Sequence, residues 1–184
     1  MSGRLPLRFG HQQRYDLIAT IATHINAQSY LEIGCAEDIV FSRILVPHKI
    51  GVDPSQGGTH RMGSDPFFVE NTDTFDLIFI DGLHHWDQVL RDIDNSIRVL
   101  NPGGVIVMHD CLPVYQKEQE YGHNGDWLGS VWHAFFYQYD TRKYDMAVVS
   151  IDHGSDDDDD SVSLSIDEDG DDAVVTSSSK GPEE

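Results

Sequence analysis

Four short apolar runs constrain the fold of this chain more than any other feature of its sequence. Within each run the apolar residues mostly follow one another instead of alternating with polar ones, which is typical of strands buried on both faces of a parallel sheet. Helices must then cover both faces of that sheet. The four candidate strands are YLEIG (30–34), KIGVDP (49–54), FDLIFIDG (75–82) and VIVMHD (105–110), and MAVVSI (146–151) is a fifth candidate.

The segments between these runs space their apolar residues as helices do. Residues 11–27, 86–97 and 127–136 each place apolar side chains three or four positions apart. The segment CAEDIVFSRIL (35–45) is also predicted to be helical, with Glu37 and Asp38 in its first turn, where the helix dipole favours negative charge. Strands that alternate with helices predict an α/β domain with a doubly wound, mostly parallel sheet.

The chain divides by charge into a domain and a tail. Its 184 residues fit one domain, but much of the formal net charge of −20 comes from residues 151–184, which hold 13 acidic residues against one lysine. We expect a folded domain at 1–151 and an acidic tail rich in Ser and Asp at 152–184. Within the tail, SVSLSI (161–166) alternates as a half-buried strand does, although such composition usually stays disordered. A terminal antiparallel strand is therefore left open, and from residue 167 onward we expect disorder.

Composition argues against several classes of partner. Residues 1–150 still carry a net charge of −8, so the chain has no obvious basic face for a nucleic acid. No apolar run approaches the roughly 20 residues of a membrane span, and the N-terminal segment lacks the apolar core of a signal peptide. Cys35 and Cys111 are too few for a disulfide framework. We expect a soluble, cytoplasmic protein that binds a small molecule and neither nucleic acid nor membrane, and the sequence leaves its oligomeric state open.

Polar residues and one glycine stand at the ends of the candidate strands. In doubly wound folds, ligands bind beyond the carboxyl ends of the strands, so these residues should converge on one crevice. An alternative interpretation of the acidic residues Glu32 and Asp53 is that they are ordinary polar residues at strand ends. The six residues are Glu32, Gly34, Asp53, Asp81, His109 and Asp110.

The turn after the first candidate strand indicates which cofactor this crevice holds. Residues 32–38 read EIGCAED, with one glycine and three carboxylates, whereas dinucleotide-binding folds carry G-x-G-x-x-G there. The carboxylates would repel a pyrophosphate, and the chain has no P-loop motif. S-adenosylmethionine carries a sulfonium and an ammonium group and no phosphate, so an acidic turn suits it. Asp53, at the end of the second strand, stands where an acidic side chain commonly binds a ribose diol.

Taken together, several motifs resemble class I S-adenosylmethionine-dependent methyltransferases, and most closely the type-24 methyltransferase domain family. The resemblance implies a Rossmann-like fold and S-adenosylmethionine as the methyl donor. Relatives on the same plan include metal-dependent sugar O-methyltransferases. The resemblance covers about residues 28–150 and lies in YLEIGCAED, GVDPS, SDPFF, FDLIFIDGLHHW, NPGGVIVMHDCLP and GSVWHAF.

The resemblance also implies which residues contact the donor. Glu32 and Gly34 would contact its methionine end, with Cys35 and Ala36 in the same turn. Asp53 would contact the ribose. These five residues make the turn after the first strand and the end of the second strand the main predicted donor site.

Two further regions follow from the resemblance. Ser64 or Asp65 would lie near the adenine, and Asp81 would lie near the reacting centre as well as the donor. The chain departs from the family pattern at Asp38, which replaces a frequent third glycine, and at Ser130, which stands where an Asp is common. The first departure puts the tightness of the donor turn in question.

Two of the strands end in groups that suit a metal ion. Asp81, His109 and Asp110 would supply oxygen and nitrogen ligands to one divalent ion, and carboxylate-rich sites suit Mg²⁺ or Mn²⁺. Such a cation would lower the pKa of an acceptor hydroxyl and hold it in line with the methyl group. His84 is the predicted general base, with His85 as second choice. Alternatively, Asp81 caps the following helix, and His109 and Asp110 only hydrogen-bond loop backbone.

The function that these features predict is methyl transfer from S-adenosylmethionine to an oxygen of a hydroxylated small molecule or sugar, with possible assistance from a divalent metal. One rival is a domain that binds the donor without turnover and serves as an interaction module. Another is a nicotinamide-dependent oxidoreductase on a similar sheet, which predicts affinity for NAD. The acidic turn at 32–38 argues against the last of these.

Overall fold

The structure is a computed structural model, and it describes residues 4–7, 13–113, 115–121, 127–141, 143–151, 162–165 and 173–179. The helices are α1 (Arg14–His24), α2 (Ser64–Glu70), α3 (Trp86–Val99) and α4 (Val131–Thr141), with two short 3-10 helices at Phe41–Arg43 and Gln116–Gln119. The strands are β1 (Arg4–Leu7), β2 (Ser29–Ile33), β3 (His48–Val52), β4 (Phe75–Ile80), β5 (Leu100–Met108), β6 (Asp145–Ile151), β7 (Val162–Ser165) and β8 (Ala173–Ser179).

The main sheet has six strands in the order β3-β2-β4-β5-β8-β6, and every neighbouring pair is parallel. The four predicted apolar runs form the adjacent strands β3, β2, β4 and β5. Their registers align the strand ends, with Ile33 opposite both Val52 and Ile80. The predicted doubly wound α/β fold is therefore confirmed, and the carboxyl ends of these four strands share one edge.

Helices cover both faces of the sheet, which explains why the strands are apolar throughout. On one face α1 packs Leu17 and Ile18 against Tyr30, Leu77 and neighbouring side chains. On the other face α2, α3 and α4 pack against the alternate residues of the same strands, such as Leu31, Ile78 and Ile106. Both sets of strand residues are fully buried. None of the helices in the described ranges is both long and apolar enough to cross a membrane.

The predicted helix at 35–45 is wrong. Turns follow Gly34, and only Phe41–Arg43 forms a short 3-10 helix. Ala36 and Asp38 have φ angles of 44° and 61°, in the left-handed region that a right-handed helix does not use. The Asp38 carboxylate also accepts a hydrogen bond of 2.7 Å from the backbone amide of Gly58, so its side chain stabilises the turn instead of a helix. Sequence reasoning missed α2, which lies in the connection after β3.

The tail contributes two strands. The proposed strand at 161–166 corresponds to β7, which pairs antiparallel with β1 in a separate two-stranded sheet. Disorder was expected from residue 167, whereas the structure inserts β8 between β5 and β6, parallel to both. Parallel neighbours need a long crossover, and residues 152–172 connect β6 to β8. Residues 166–172 and 180–184 lie outside the described residues, and the domain boundary at 151 stays a prediction.

An acidic side chain lies in the core beneath α3. Asp92 is 1% exposed, and its Oδ1 accepts a hydrogen bond of 3.1 Å from the side-chain amide of Gln88. Its Oδ2 has no hydrogen-bond partner within the described part of the chain. Burial raises the pKa of Asp92 to about 6. The folded chain therefore binds this proton more tightly than the unfolded chain does.

We expect Asp92→Asn to stabilise the fold at pH 7.5. Because the pKa of Asp92 rises from 3.8 to about 6 on folding, its contribution to stability is greatest below pH 4 and is lost as the pH rises through 6. Two pKa units correspond to about 3 kcal/mol, and the buried amide should recover about 1–2 kcal/mol of this. Urea unfolding at pH 4 and pH 7.5 would measure the difference.

The control for this variant is Asp94→Asn, an exposed position on the same helix. The control should leave stability nearly unchanged at both pH values. A gain for Asp92→Asn of the same size at pH 4 and at pH 7.5 would show that ionisation of Asp92 is not the cause.

Candidate functional site

Two cavities open at the carboxyl edge of the sheet. Cavity A, of about 480 Å³, lies beyond β2 and β3 and reaches the start of α2. Cavity B, of about 350 Å³, lies beyond β2, β4 and β5. Gly34, Ala36 and Asp81 line both cavities. The two cavities therefore meet in one crevice, at the place where strand-end residues were predicted to converge.

Gly34 lets two strand-end turns approach each other closely. Its φ is +90°, and a Cβ at this position would lie 2.1 Å from the backbone oxygen of Asp81. Its amide donates a hydrogen bond of 2.8 Å to the carbonyl of Val52. Only glycine combines this backbone conformation with this contact. The junction between the two cavities consequently depends on the missing side chain at residue 34.

Asp53 is fixed at the edge of cavity A by backbone amides. Its Oδ2 accepts a hydrogen bond of 3.0 Å from Ala36, and its Oδ1 accepts bonds of 2.8 and 2.9 Å from Ser55 and Gln56. Burial acts to raise the pKa of Asp53, but these amides outweigh it, and the pKa is lowered. Asp53 is thus an ionised, oriented acceptor that also joins the turn after β2 to the end of β3.

The predicted adenine residues lie at the far side of cavity A. Ser64 and Asp65 occupy the first turn of α2 and line this cavity. The side-chain amide of Gln88 on α3 lies 3.1 Å from the Ser64 hydroxyl and 3.2 Å from an Asp65 oxygen. Sequence reasoning missed Gln88, because its link to α2 exists only after α2 and α3 pack side by side.

Glu32 lies at the bottom of cavity B and is 1% exposed. The Tyr30 hydroxyl donates a hydrogen bond of 2.5 Å to its Oε2. Burial raises the pKa of Glu32 to about 8, although the bond from Tyr30 opposes this. The sequence suggested a permanent negative charge here, whereas a pKa of about 8 leaves Glu32 mostly protonated at neutral pH.

A cluster of two aspartates and two histidines occupies the centre of the crevice. Nδ1 of His109 lies 2.9 Å from an Asp110 oxygen and 3.5 Å from Oδ1 of Asp81. Nε2 of His84 lies 3.5 Å from the same Asp81 oxygen, and its Nδ1 lies 3.4 Å from Asp110. Nδ1 of His84 also donates a hydrogen bond of 2.7 Å to the carbonyl of Trp127. The structure therefore brings together all four predicted catalytic and metal-ligating residues.

The charges in this cluster stabilise one another. Burial acts to raise the pKa of Asp81, but His109 and His84 outweigh it and hold the pKa well below its usual range. Burial acts to lower the pKa of His109, but Asp81 and Asp110 outweigh it and raise the pKa to about 10. The same two carboxylates raise the pKa of His84 against the effect of burial. Asp81 is consequently an ionised group at the junction of the cavities.

Asp81 and Trp127 both line cavity B. Asp81 does not cap the following helix, because the residue that precedes α3 is His85. Trp127 belongs to the apolar helical pattern at 127–136, but it precedes α4 and lines cavity B, with its ring centroid 5.3 Å from that of His84. Ser130 accepts a hydrogen bond of 2.9 Å from the amide of Trp86. The loop that contains Trp127 and Ser130 thus packs over His84 and the start of α3.

Within the described ranges, the side chains that come close enough together to share a metal ion are Asp81, His84 and Asp110, whose ligand atoms all lie within 4.8 Å of one another. The ligand set predicted from sequence contains His109 instead of His84. His109 lies in the same cluster, where its Nδ1 contacts both carboxylates. The choice between these two histidines stays a prediction.

One residue of cavity B gave no signal in the sequence. Arg14, at the start of α1, lines cavity B, and its Nε lies 3.7 Å from Oδ2 of Asp81. It precedes β2 by a full helix, so no strand-end argument includes it. The sequence could have indicated Arg14 through a search for a cation that balances the predicted strand-end carboxylates.

Comparison with known proteins adds one match. Residues 50–111 match the model of a family described as a methyltransferase domain. The matched segment is about a third of the chain, runs from β3 to just past β5, and contains Asp53, Asp81, His84, His109 and Asp110. It supports assignment to the class I S-adenosylmethionine-dependent methyltransferases and confirms the resemblance found in the motifs. No curated protein and no solved structure matches the chain.

Proposed function

We propose that this methyltransferase domain transfers a methyl group from S-adenosylmethionine to an oxygen of a hydroxylated small molecule or sugar. The observation that carries the proposal is the junction of cavities A and B at Gly34, Ala36 and Asp81. A donor whose nucleoside lies in cavity A and an acceptor that enters cavity B would meet beside an ionised carboxylate and two histidines. The family match supports methyl transfer in general, and the acceptor class is our inference from the site.

The lining of cavity A fits the adenosine part of the donor. The Asp53 carboxylate can accept a further hydrogen bond from a ribose hydroxyl at Oδ2, which accepts one backbone bond and has a second lone pair. Ser64, Asp65 and Gln88 provide polar groups at the other end of the cavity. The described lining of cavity A contains no arginine or lysine, which disfavours a ligand with a pyrophosphate.

The residues of cavity B suit deprotonation of an acceptor hydroxyl. When bound, S-adenosylmethionine supplies a methyl group on a positively charged sulfur. The bond from Nδ1 of His84 to Trp127 leaves Nε2 as the proton acceptor in neutral His84. Asp81 would stabilise the imidazolium that forms, since its carboxylate lies 3.5 Å from Nε2. We assign the general base to His84 and the orienting charge to Asp81.

We further propose that a divalent cation such as Mg²⁺ assists the reaction. Asp81 and Asp110 would hold it, with His84 or His109 as the third ligand, and the cation would lower the pKa of the acceptor hydroxyl. If His84 is the ligand, its role as a base passes to another group. Metal binding by His84→Ala and His109→Ala variants, measured by calorimetry with MgCl₂ and MnCl₂, separates the two assignments, because only loss of the ligand weakens binding.

The proposed function is tested with the full chain. We expect calorimetry to show that S-adenosylmethionine and S-adenosylhomocysteine bind and NAD does not. We expect radiolabelled methyl groups to enter small hydroxylated compounds from a cell extract, and the label to fall when EDTA is added and return with Mg²⁺. Donor binding without transfer to a broad acceptor panel would favour the inactive interaction module. Affinity for NAD would favour the oxidoreductase.

The setting of the reaction is part of the same proposal. We place it in the cytoplasm, where Cys35 and Cys111, both buried and not joined in a disulfide, would stay reduced. The acceptor would be a small molecule and not a nucleic acid or a membrane, because the chain is strongly acidic.

A further inference from the structure

Arg14 differs from every other described residue that lines the crevice. It is the one side chain with a permanent positive charge in the described lining of cavities A and B. The two histidines of cavity B can also carry charge. However, each one already has a ring nitrogen within 3.5 Å of an oxygen of Asp81 and a ring nitrogen within 3.5 Å of an oxygen of Asp110. Arg14 is therefore the residue of this lining whose positive charge is available to a bound anion.

One hydrogen-bond donor of Arg14, its Nε, is buried and unpaired within the described residues. Its contact with Asp81, at 3.7 Å, is an ion pair without a hydrogen bond. A guanidinium has five N–H donors in a planar fork that matches a carboxylate. A buried donor of this kind costs free energy unless a ligand pairs with it.

The backbone that carries Arg14 is held in place. Arg14 is the first residue of α1, and the amide of Gln13 donates a hydrogen bond of 3.1 Å to the Asp16 side chain. The next turn packs Leu17 and Ile18 into the core. The side chain at residue 14 consequently starts from a fixed point beside the ends of β2 and β4, so its direction into cavity B belongs to the fold.

We propose that Arg14 binds the carboxylate of the amino-acid end of S-adenosylmethionine, an inference that rests on the proposed function. That end of the donor carries an ammonium group and a carboxylate. Glu37, Asp81 and Asp110 line cavity B and suit the ammonium group, but they would repel the carboxylate. Arg14 removes this repulsion and makes the site specific for a donor that has both groups.

Arg14 has a plainer explanation, which is that it only neutralises Asp81. The two explanations differ in one measurable respect. A guanidinium that binds the donor carboxylate distinguishes S-adenosylmethionine from decarboxylated S-adenosylmethionine, which keeps the sulfonium and the ammonium group. A guanidinium that only neutralises Asp81 affects the two ligands alike.

The test is calorimetry with both ligands on the full chain and on three variants. Wild type should bind S-adenosylmethionine at least about tenfold more tightly than the decarboxylated form, as a charge-assisted hydrogen bond implies. Arg14→Gln should remove this preference, and Arg14→Lys should keep part of it. Arg98→Gln is the matched control, since Arg98 is exposed in the last turn of α3, away from the strand ends that form the crevice.

Each outcome decides the matter. Loss of the preference in Arg14→Gln with its retention in Arg98→Gln supports the assignment. An unchanged preference in Arg14→Gln, an equal fall in affinity for both ligands, or no preference in wild type overturns it. If Arg14→Gln fails to fold, Arg14→Lys decides, because an unreduced preference there contradicts a planar, two-point contact. If wild type binds neither ligand, the proposed function fails, and this assignment fails with it.

Discussion

Asp81→Asn should lower the rate of methyl transfer by roughly a hundredfold to ten-thousandfold. Asp81 lines both cavities and lies 3.5 Å from Nε2 of His84 and 3.5 Å from Nδ1 of His109. An amide keeps the shape of the side chain but removes the charge that stabilises both histidines in their protonated form. Transfer of radiolabelled methyl groups measures the rate, and calorimetry with S-adenosylhomocysteine measures donor binding, which should weaken much less than the rate falls.

The control for Asp81→Asn is Asp73→Asn. Asp73 also pairs with a histidine, His48, at 3.1 Å, but both side chains are about half exposed and lie outside both cavities. The control should transfer methyl groups at the wild-type rate. A rate for Asp81→Asn within about twofold of wild type would show that the junction carboxylate takes no part in the reaction.

Gly34→Ala is expected to destabilise the fold by roughly 3–4 kcal/mol, from backbone strain and overpacking together. Its φ of +90° disfavours any side chain, and the added Cβ would lie 2.1 Å from the backbone oxygen of Asp81. To remove this overlap, the turns after β2 and β4 must separate, and their separation would also widen the junction of the cavities. Denaturant unfolding measures the loss, and donor binding should fall with it.

Gly103→Ala separates the two causes of that loss. Gly103 has a φ of +76°, but nothing lies within 4 Å of the position that its Cβ would take. This variant should cost about 1 kcal/mol, from backbone strain alone. Equal losses for Gly34→Ala and Gly103→Ala would mean that the close contact between the two turns contributes nothing to stability.

The strands and their shared edge could be predicted from sequence because burial on two faces leaves a direct record in the residues. Leu77, Ile78, Phe79 and Ile80 are each 3% exposed or less, and they face alternate sides of the sheet. A polar residue that follows such a run can only lie at the strand end. The grouping of Asp81 with His109 and Asp110 followed from that geometry.

Other parts of the site depend on contacts that no local pattern records. The turn after β2 is not helical because Asp38 bonds to the amide of Gly58, twenty residues later. Arg14 reaches the site from α1, which precedes the first strand of the six-stranded sheet, and Trp127 reaches it from a loop after the last of the four central strands. The choice between His84 and His109 as metal ligand depends on side-chain rotamers, which sequence spacing does not determine.

The shared boundary between the cavities has an evolutionary consequence. Ile39, Val40 and Trp127 line cavity B and do not line cavity A. Under the proposed function, substitutions at these three positions would reshape the space for the acceptor while the nucleoside part of the donor kept its contacts in cavity A. If the proposed function holds, a lineage built on this plan could change its acceptor without rebuilding the half of the crevice assigned to the nucleoside.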